Sequence, residues 1–218
     1  MKKLIFVFLL VCVLMLALSA CTENSAQETT PAEGHESIGL AYTLSNDGTY
    51  YRVSGIGNCK DTDIVIPLMH NGLPVKGIAS GAFFNCHSLT SVVIPDSVTS
   101  IGNWAFDSCY SLTSVVIPDS VTSIGERAFD SCYSLTSVVI PDSVTSIGEE
   151  AFSWCRGLTS VVIGDSVTSI GGHAFNDCTG LKNIYYRGTA SQWEAISKGS
   201  GWNSGTGSYT MTYNYTGQ

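Results

Sequence analysis

The stretch SLTSVVIPDSVTSIG occupies residues 88–102 and returns unchanged at 111–125 and 134–148. A fourth copy, GLTSVVIGDSVTSIG at 157–171, differs only at its first residue and where Pro becomes Gly. The offset is 23 residues each time, and Cys86, Cys109, Cys132, Cys155 and Cys178 fall on the same period. A period of this size, with Leu, Val and Ile at fixed places, specifies stacked coils rather than a layered globule. One coil alone buries too little apolar surface to offset the entropy of ordering it. Stacking supplies the missing burial and adds hydrogen bonds between coils. Each copy is therefore the core and the sheet partner of the next.

Within a coil, Ser91–Ile94 is β-branched and alternates with period two, which predicts a short strand. Pro95-Asp96-Ser97 reads as a turn, and Thr99–Ile101 as a second extended piece. The segments NWAFDSC (103–109), ERAFDSC (126–132) and EEAFSWC (149–155) predict a single helical or 3₁₀ turn. The expected fold is a repeat solenoid of 23-residue coils, mainly β with short helical turns. Six coils are expected, the first from Cys59 with a five-residue insertion in LMHNGLPVKGI. Solenoid ends need caps. Leu40–Ile56 predicts a β-hairpin about Asn46-Asp47-Gly48. Ser191-Gln192-Trp193-Glu194 fits a capping box opening a short helix, and Ser208–Tyr215 alternates like a closing strand. The resulting divisions are a signal peptide at 1–20, a disordered tether at 21–37, the hairpin cap at 38–58, the solenoid at 59–188 and the C-terminal cap at 189–218.

The spacing L-x-x-V-x-I-x-x-x-V-x-x-I resembles a leucine-rich repeat. More specifically, IP after the strand, then SVTSIG, then AF and Cys, resembles the BspA-like leucine-rich repeat family of bacterial and some protist surface proteins. The opening GIGNCKDTDIVIP and the closing YYRGTASQWEAI resemble that family's flanks, so the likeness covers about residues 40–216. It implies a non-catalytic surface adhesin or interaction protein whose partner is a host, matrix or other cell-surface protein.

The chain opens MKKLIFVFLLVCVLMLALSAC, with Lys2 and Lys3 before an uncharged apolar run, the pattern of an export signal. Leu18-Ser19-Ala20-Cys21 resembles the lipobox of bacterial lipoproteins. That resemblance implies cleavage before Cys21, acylation of its thiol and an extracellular-facing membrane anchor. An uncleaved transmembrane helix is the alternative. TENSAQETTPAEGHES (22–37) is polar and lacks an apolar period, as a tether would be. Removing residues 1–20 takes the net charge from −8 to −10, because two lysines and no acids are lost. Such a surface argues against nucleic acid and anionic lipid as partners.

Stacking turns each repeat position into a column about 4.8 Å per step. The column Cys86, Cys109, Cys132, Cys155 and Cys178 is expected as a structural thiol ladder, with occasional disulfides or a metal as the alternatives. A single file cannot surround an ion tetrahedrally. Outward on the strands stand Val65, Val93, Val116, Val139, Val162 and Tyr185, edged by Ser91, Ser114, Ser137 and Ser160. That apolar stripe is the candidate binding face, against the alternative that Val serves strand propensity alone. Asp96, Asp119, Asp142 and Asp165 suit a turn better than calcium. Two further columns vary among the copies: His87, Tyr110, Tyr133, Arg156 and Thr179, and Trp104, Arg127, Glu150 and His173. They read either as a tuned ligand surface or as drift on a solvated face. His35, His70, His87 and His173 form no metal-binding or catalytic spacing, so no enzyme, cofactor or metal is expected. Tyr185, Tyr186, Trp193, Trp202, Tyr209, Tyr213 and Tyr215 make the aromatic-rich C-terminal end the basis of an alternative glycan-binding reading. An inert spacer is the third.

Overall fold

The structure, a computed structural model, describes residues 36–217. The expected signal peptide, Cys21 and nearly all of the expected tether lie outside the described residues. Each coil carries two short parallel strands. One set is β3 (Asp63–Val65), β6 (Ser91–Val93), β8 (Ser114–Val116), β10 (Ser137–Ile140), β12 (Ser160–Ile163), β14 (Asn183–Tyr186) and β16 (Thr210–Thr212). The other is β5 (Leu73–Ile78), β7 (Ser100–Ile101), β9 (Ser123–Ile124), β11 (Ser146–Ile147), β13 (Ser169–Ile170) and β15 (Ser197–Lys198). The hairpin of β1 (Ala41–Leu44) and β2 (Tyr51–Gly55) joins this second sheet through β2 and β5. A two-residue strand, β4 (Met69–His70), folds the insertion of the first coil back on β5.

Within each sheet, strand pairing follows the repeat letter for letter; the first set forms two sheets, β3–β6–β8 and β10–β12–β14–β16, with no ladder between β8 and β10. Val138 sits opposite Val161, and Val161 opposite Ile184. Ile101, Ile124, Ile147 and Ile170 form one parallel file. The core is a set of such files. Phe83, Phe106, Phe129, Phe152 and Phe175 are all fully buried. Their rings stack with centroids 5.1 to 5.3 Å apart and planes within 9°. Trp202 ends the stack edge-on at 6.2 Å.

The copied polar letters are explained by the same stacking. Ser97, Ser120 and Ser143 each donate at 2.6 Å to a carbonyl of the preceding coil, on Val75, Val98 and Val121. Thr113 and Thr159 do likewise at 3.0 Å to Thr90 and Thr136. Gly148 is required by close approach: a Cβ there would lie 2.5 Å from the Gly125 backbone. In the fourth copy Gly164 replaces proline, and its N–H donates to Ile140 at 2.9 Å, a bond proline cannot make.

Four expectations change in detail. The fold makes about seven turns rather than six, because residues 197–212 add β15 beside β13 and β16 beside β14. Ser37 belongs to the folded unit rather than the tether: it is buried and exchanges two hydrogen bonds with Val65. The helix α1 (Ala190–Ala195) is capped by Thr189 and Gln192, two residues before the expected box at Ser191. The Ala-Phe segments are turns, not helix. Trp104, Arg127, Glu150 and His173 are left-handed, with φ between 52° and 55°. So are Ser108, Ser131 and Trp154, at 58° to 60°. This geometry aims alternate N–H groups at the next coil: Trp104, Phe106 and Ser108 donate to Glu126, Ala128 and Asp130 at 2.8 Å. Left-handed backbone costs a residue with a Cβ about 1–2 kcal/mol, which the repeated inter-coil bonds offset.

Candidate binding surfaces

Three surfaces emerge from these columns. On the first set of strands, inward Val92, Val115, Val138 and Val161 are buried, which turns the alternate residues outward. Val116 and Val139 are 65% and 38% exposed and Ser114 and Ser137 are exposed; Val65, Val93, Ser91 and Ser160 are half-buried. Val162 departs from the expected face, being only 7% exposed. It lies in register between Val139 and Tyr185. The diverged last coils put a large ring beside it, and the Tyr185 ring stacks in turn on Tyr215 at 4.4 Å. The open apolar stripe is therefore centred on Val116 and Val139 and ends in aromatic rings. Nearby, the Arg187 guanidinium bonds Asp142 at 3.1 Å, and Asp142 also accepts from the Asp165 N–H at 3.2 Å. The acidic column is thus partly neutralised at Asp142.

The aromatic C-terminal end divides in two. Tyr186 and Trp193 are buried, and Trp202, Tyr209 and Tyr213 pack on the core from its margin. They close the last coil, which leaves Tyr185 and Tyr215 as the pair beside the valine stripe.

The cysteines stand in one file. Cys109, Cys132, Cys155 and Cys178 are buried, and their thiols donate to the carbonyls of Phe83, Phe106, Phe129 and Phe152 at 3.1 to 3.3 Å. Each thiol ties its coil to the one before. All six described cysteines, Cys59 and the half-buried Cys86 included, are free. Burial pushes the Cys178 thiol up to about 12 and raises Cys132 and Cys155 well above the usual thiol range.

The turn edge is the third surface. His87 meets Tyr110 at 4.5 Å, and Tyr110 stacks on Tyr133 at 5.0 Å with planes 7° apart. The first three members of one column that varies among copies thus form a stack of rings. In the same turns Asp107 is buried and accepts from Ser108 at 2.7 Å, and Asp130 is half-buried and accepts from Ser131 at 3.3 Å. Burial, reinforced by the charge of Asp107, raises Asp130 to about 6. Arg127 pairs with Glu150 of the next coil at 2.6 Å. His70 packs face-on against Tyr42 at 3.7 Å. Among the described residues no group of His, Cys, Asp and Glu could hold a metal ion, and no helix is long and apolar enough to cross a membrane.

Parallel coils of 23 residues, with Leu, Val, Ile and Phe in inward files, define a leucine-rich-repeat solenoid. Residues 74–196 match the BspA type leucine rich repeat region in six copies, and the chain belongs to that family. Among solved structures, the chain is 31% identical to the T. pallidum leucine rich repeat protein, with a TM-score of 0.65 and 84% of each chain covered. A leucine rich cell surface protein of Faecalibacterium prausnitzii A2-165 shares 40% identity at a TM-score of 0.66, over 72% of this chain and 40% of the other. A leucine-rich repeat protein of Bacteroides capillosus shares 33% identity at a TM-score of 0.51, over 56% of this chain and 92% of its own. No curated protein sequence gives a match.

Proposed function

We propose that this protein is a non-catalytic surface lipoprotein, anchored through Cys21, whose strand face binds a protein partner in adhesion. The observation that carries this reading is the exposed stripe centred on Val116 and Val139, set on the neighbouring edge strands β8 and β10 of two parallel sheets and edged by serine hydroxyls. Rigid strands hold the stripe without induced fit, so a partner loses little affinity to ordering it. Membership of a family with a cell-surface relative supports display outside the cell.

The test is the pair Val116→Lys and Val139→Lys, used in pull-downs from host and microbial extracts beside a glycan array. Both positions point outward, so the fold should tolerate lysine. Burying an unpaired charge at the centre of a contact costs several kcal/mol, enough to remove a micromolar complex. Arg127→Ala with Glu150→Ala is the control and should bind normally. Capture that survives the valine changes but fails in the control would move the contact off the strand face.

A further inference from the structure

The turn edge carries a second surface, independent of the valine stripe. All five of the most exposed aromatic side chains among the described residues come from the turn segments: Phe84, Trp104, Tyr110, Tyr133 and Trp154, each 37% to 51% exposed. Along one column His87, Tyr110 and Tyr133 stack face to edge and then face to face. Arg156 continues the file. Its guanidinium carbon lies 5.8 Å from the Tyr133 ring centroid and 4.7 Å from that of Trp154, so two aromatic rings frame it.

The electrostatics of this file decide what it can bind. The Tyr110 ring has His87 on one side and Tyr133 on the other; the Tyr133 ring has Tyr110 and Arg156. A sugar stacks on an open aromatic face, and these two rings have their faces occupied. What they turn outward is the ring edge, the positive part of the quadrupole, together with a phenol hydroxyl. Arg156 adds a planar fork of N–H donors. Among the described residues the ion pairs are Arg127–Glu150 and Arg187–Asp142, and Arg156 is in neither. The file therefore offers donors and positive edges to acceptors and anions, on a chain whose net charge is −8. Trp, Tyr and Arg are also the residues that dominate protein–protein hot spots.

We infer that the Tyr110–Tyr133–Arg156 file, flanked by Trp154, is a docking site for an extended, carboxylate-bearing segment of a partner protein. The segment lies along the file. Its carboxylate takes the Arg156 fork, and its main-chain carbonyls accept from the tyrosine hydroxyls. Framing by two rings holds the guanidinium in place before the partner arrives, which lowers the ordering cost of a bidentate contact.

The experiment is a synthetic peptide array probed with the purified protein. Each Asp- or Glu-containing peptide is paired with its Asn or Gln counterpart, and heparin and polygalacturonate are spotted beside them. Carboxylate peptides should bind above their amide partners. Arg156→Gln should weaken that binding by about tenfold or more, and Arg156→Lys, which keeps charge but loses the planar fork, should fall between. Val116→Lys with Val139→Lys should leave it unchanged. Unaltered circular dichroism and unfolding midpoints in Arg156→Gln confirm that the exposed change spares the fold. Equal binding of acid and amide peptides, or full binding by Arg156→Gln, overturns the inference. Polyanionic glycan bound through Arg156 in place of peptide overturns the assigned occupant. Loss in the valine variant as well overturns the independence of the two surfaces while leaving the strand-face proposal standing.

Discussion

Phe129→Ala probes the central file of the solenoid. The ring is fully buried and stacks at 5.1 Å on both Phe106 and Phe152. Truncation removes apolar burial and leaves a cavity, which for a core Phe costs about 3–5 kcal/mol. Two stacked partners, each contributing about 0.5–1.5 kcal/mol beyond area, place this site near the top of that range. Phe83 begins the file and stacks on Phe106 alone, so Phe83→Ala should cost about 1 kcal/mol less. Tyr110, stacked but 37% exposed, should cost under about 1 kcal/mol. The assay is urea unfolding followed by circular dichroism, comparing midpoints at equal slope, because a change of slope would mean that coils unfold separately. The order Phe129, then Phe83, then Tyr110 is the result the stacked geometry requires. Equal losses at Phe129 and Tyr110 would refute the inward file.

Gly148→Ala should destabilise more than a routine Gly→Ala change, since its Cβ meets Gly125 backbone at 2.5 Å; an unchanged melting temperature would contradict the coil spacing. In the folded protein a maleimide should reach Cys86 faster than Cys109, Cys132, Cys155 or Cys178, which should label only on unfolding. Asp130 has a folded pKa of about 6, above its usual value, so the folded state holds the proton more tightly. Its contribution therefore grows as pH falls from 7 toward 4, and Asp130→Asn should raise the unfolding free energy at pH 7 by about 1 kcal/mol after allowance for solvent screening, and flatten that pH dependence. An acyl probe should label the wild type and not Cys21→Ser; equal labelling would remove the anchor from the proposal.

The repeat made the coil length, the two strands and their inward residues legible, because identical segments can pair in only one register. The hairpin at β1 and β2 was legible from its turn residues. The turn segments were not. Ala-Phe beside Glu reads as helix, and only Gly81 in the first coil hints at a left-handed backbone. The deciding force is the set of alternate N–H bonds to the next coil, which local propensity does not encode. The helix cap was ambiguous for a different reason. Thr189 and Ser191 each precede a Gln or Glu by three residues, and the choice falls to the frame that buries Trp193 against Tyr186 at 5.2 Å. The burial of Val162 depends on Tyr185 in a coil that has left the repeat. The aromatic file was visible as a column, but its stacking and the framing of Arg156 required the third dimension.

The most direct test of the strand-face proposal is site-specific photocrosslinking on intact cells. A benzophenone side chain at position 116 looks out from β8 in the first set of strands, and one at position 122, an exposed threonine beside β9, looks out from the second set. The proposal predicts a discrete protein adduct from position 116 and none from position 122. Adducts of the same partner from position 122 alone would contradict it.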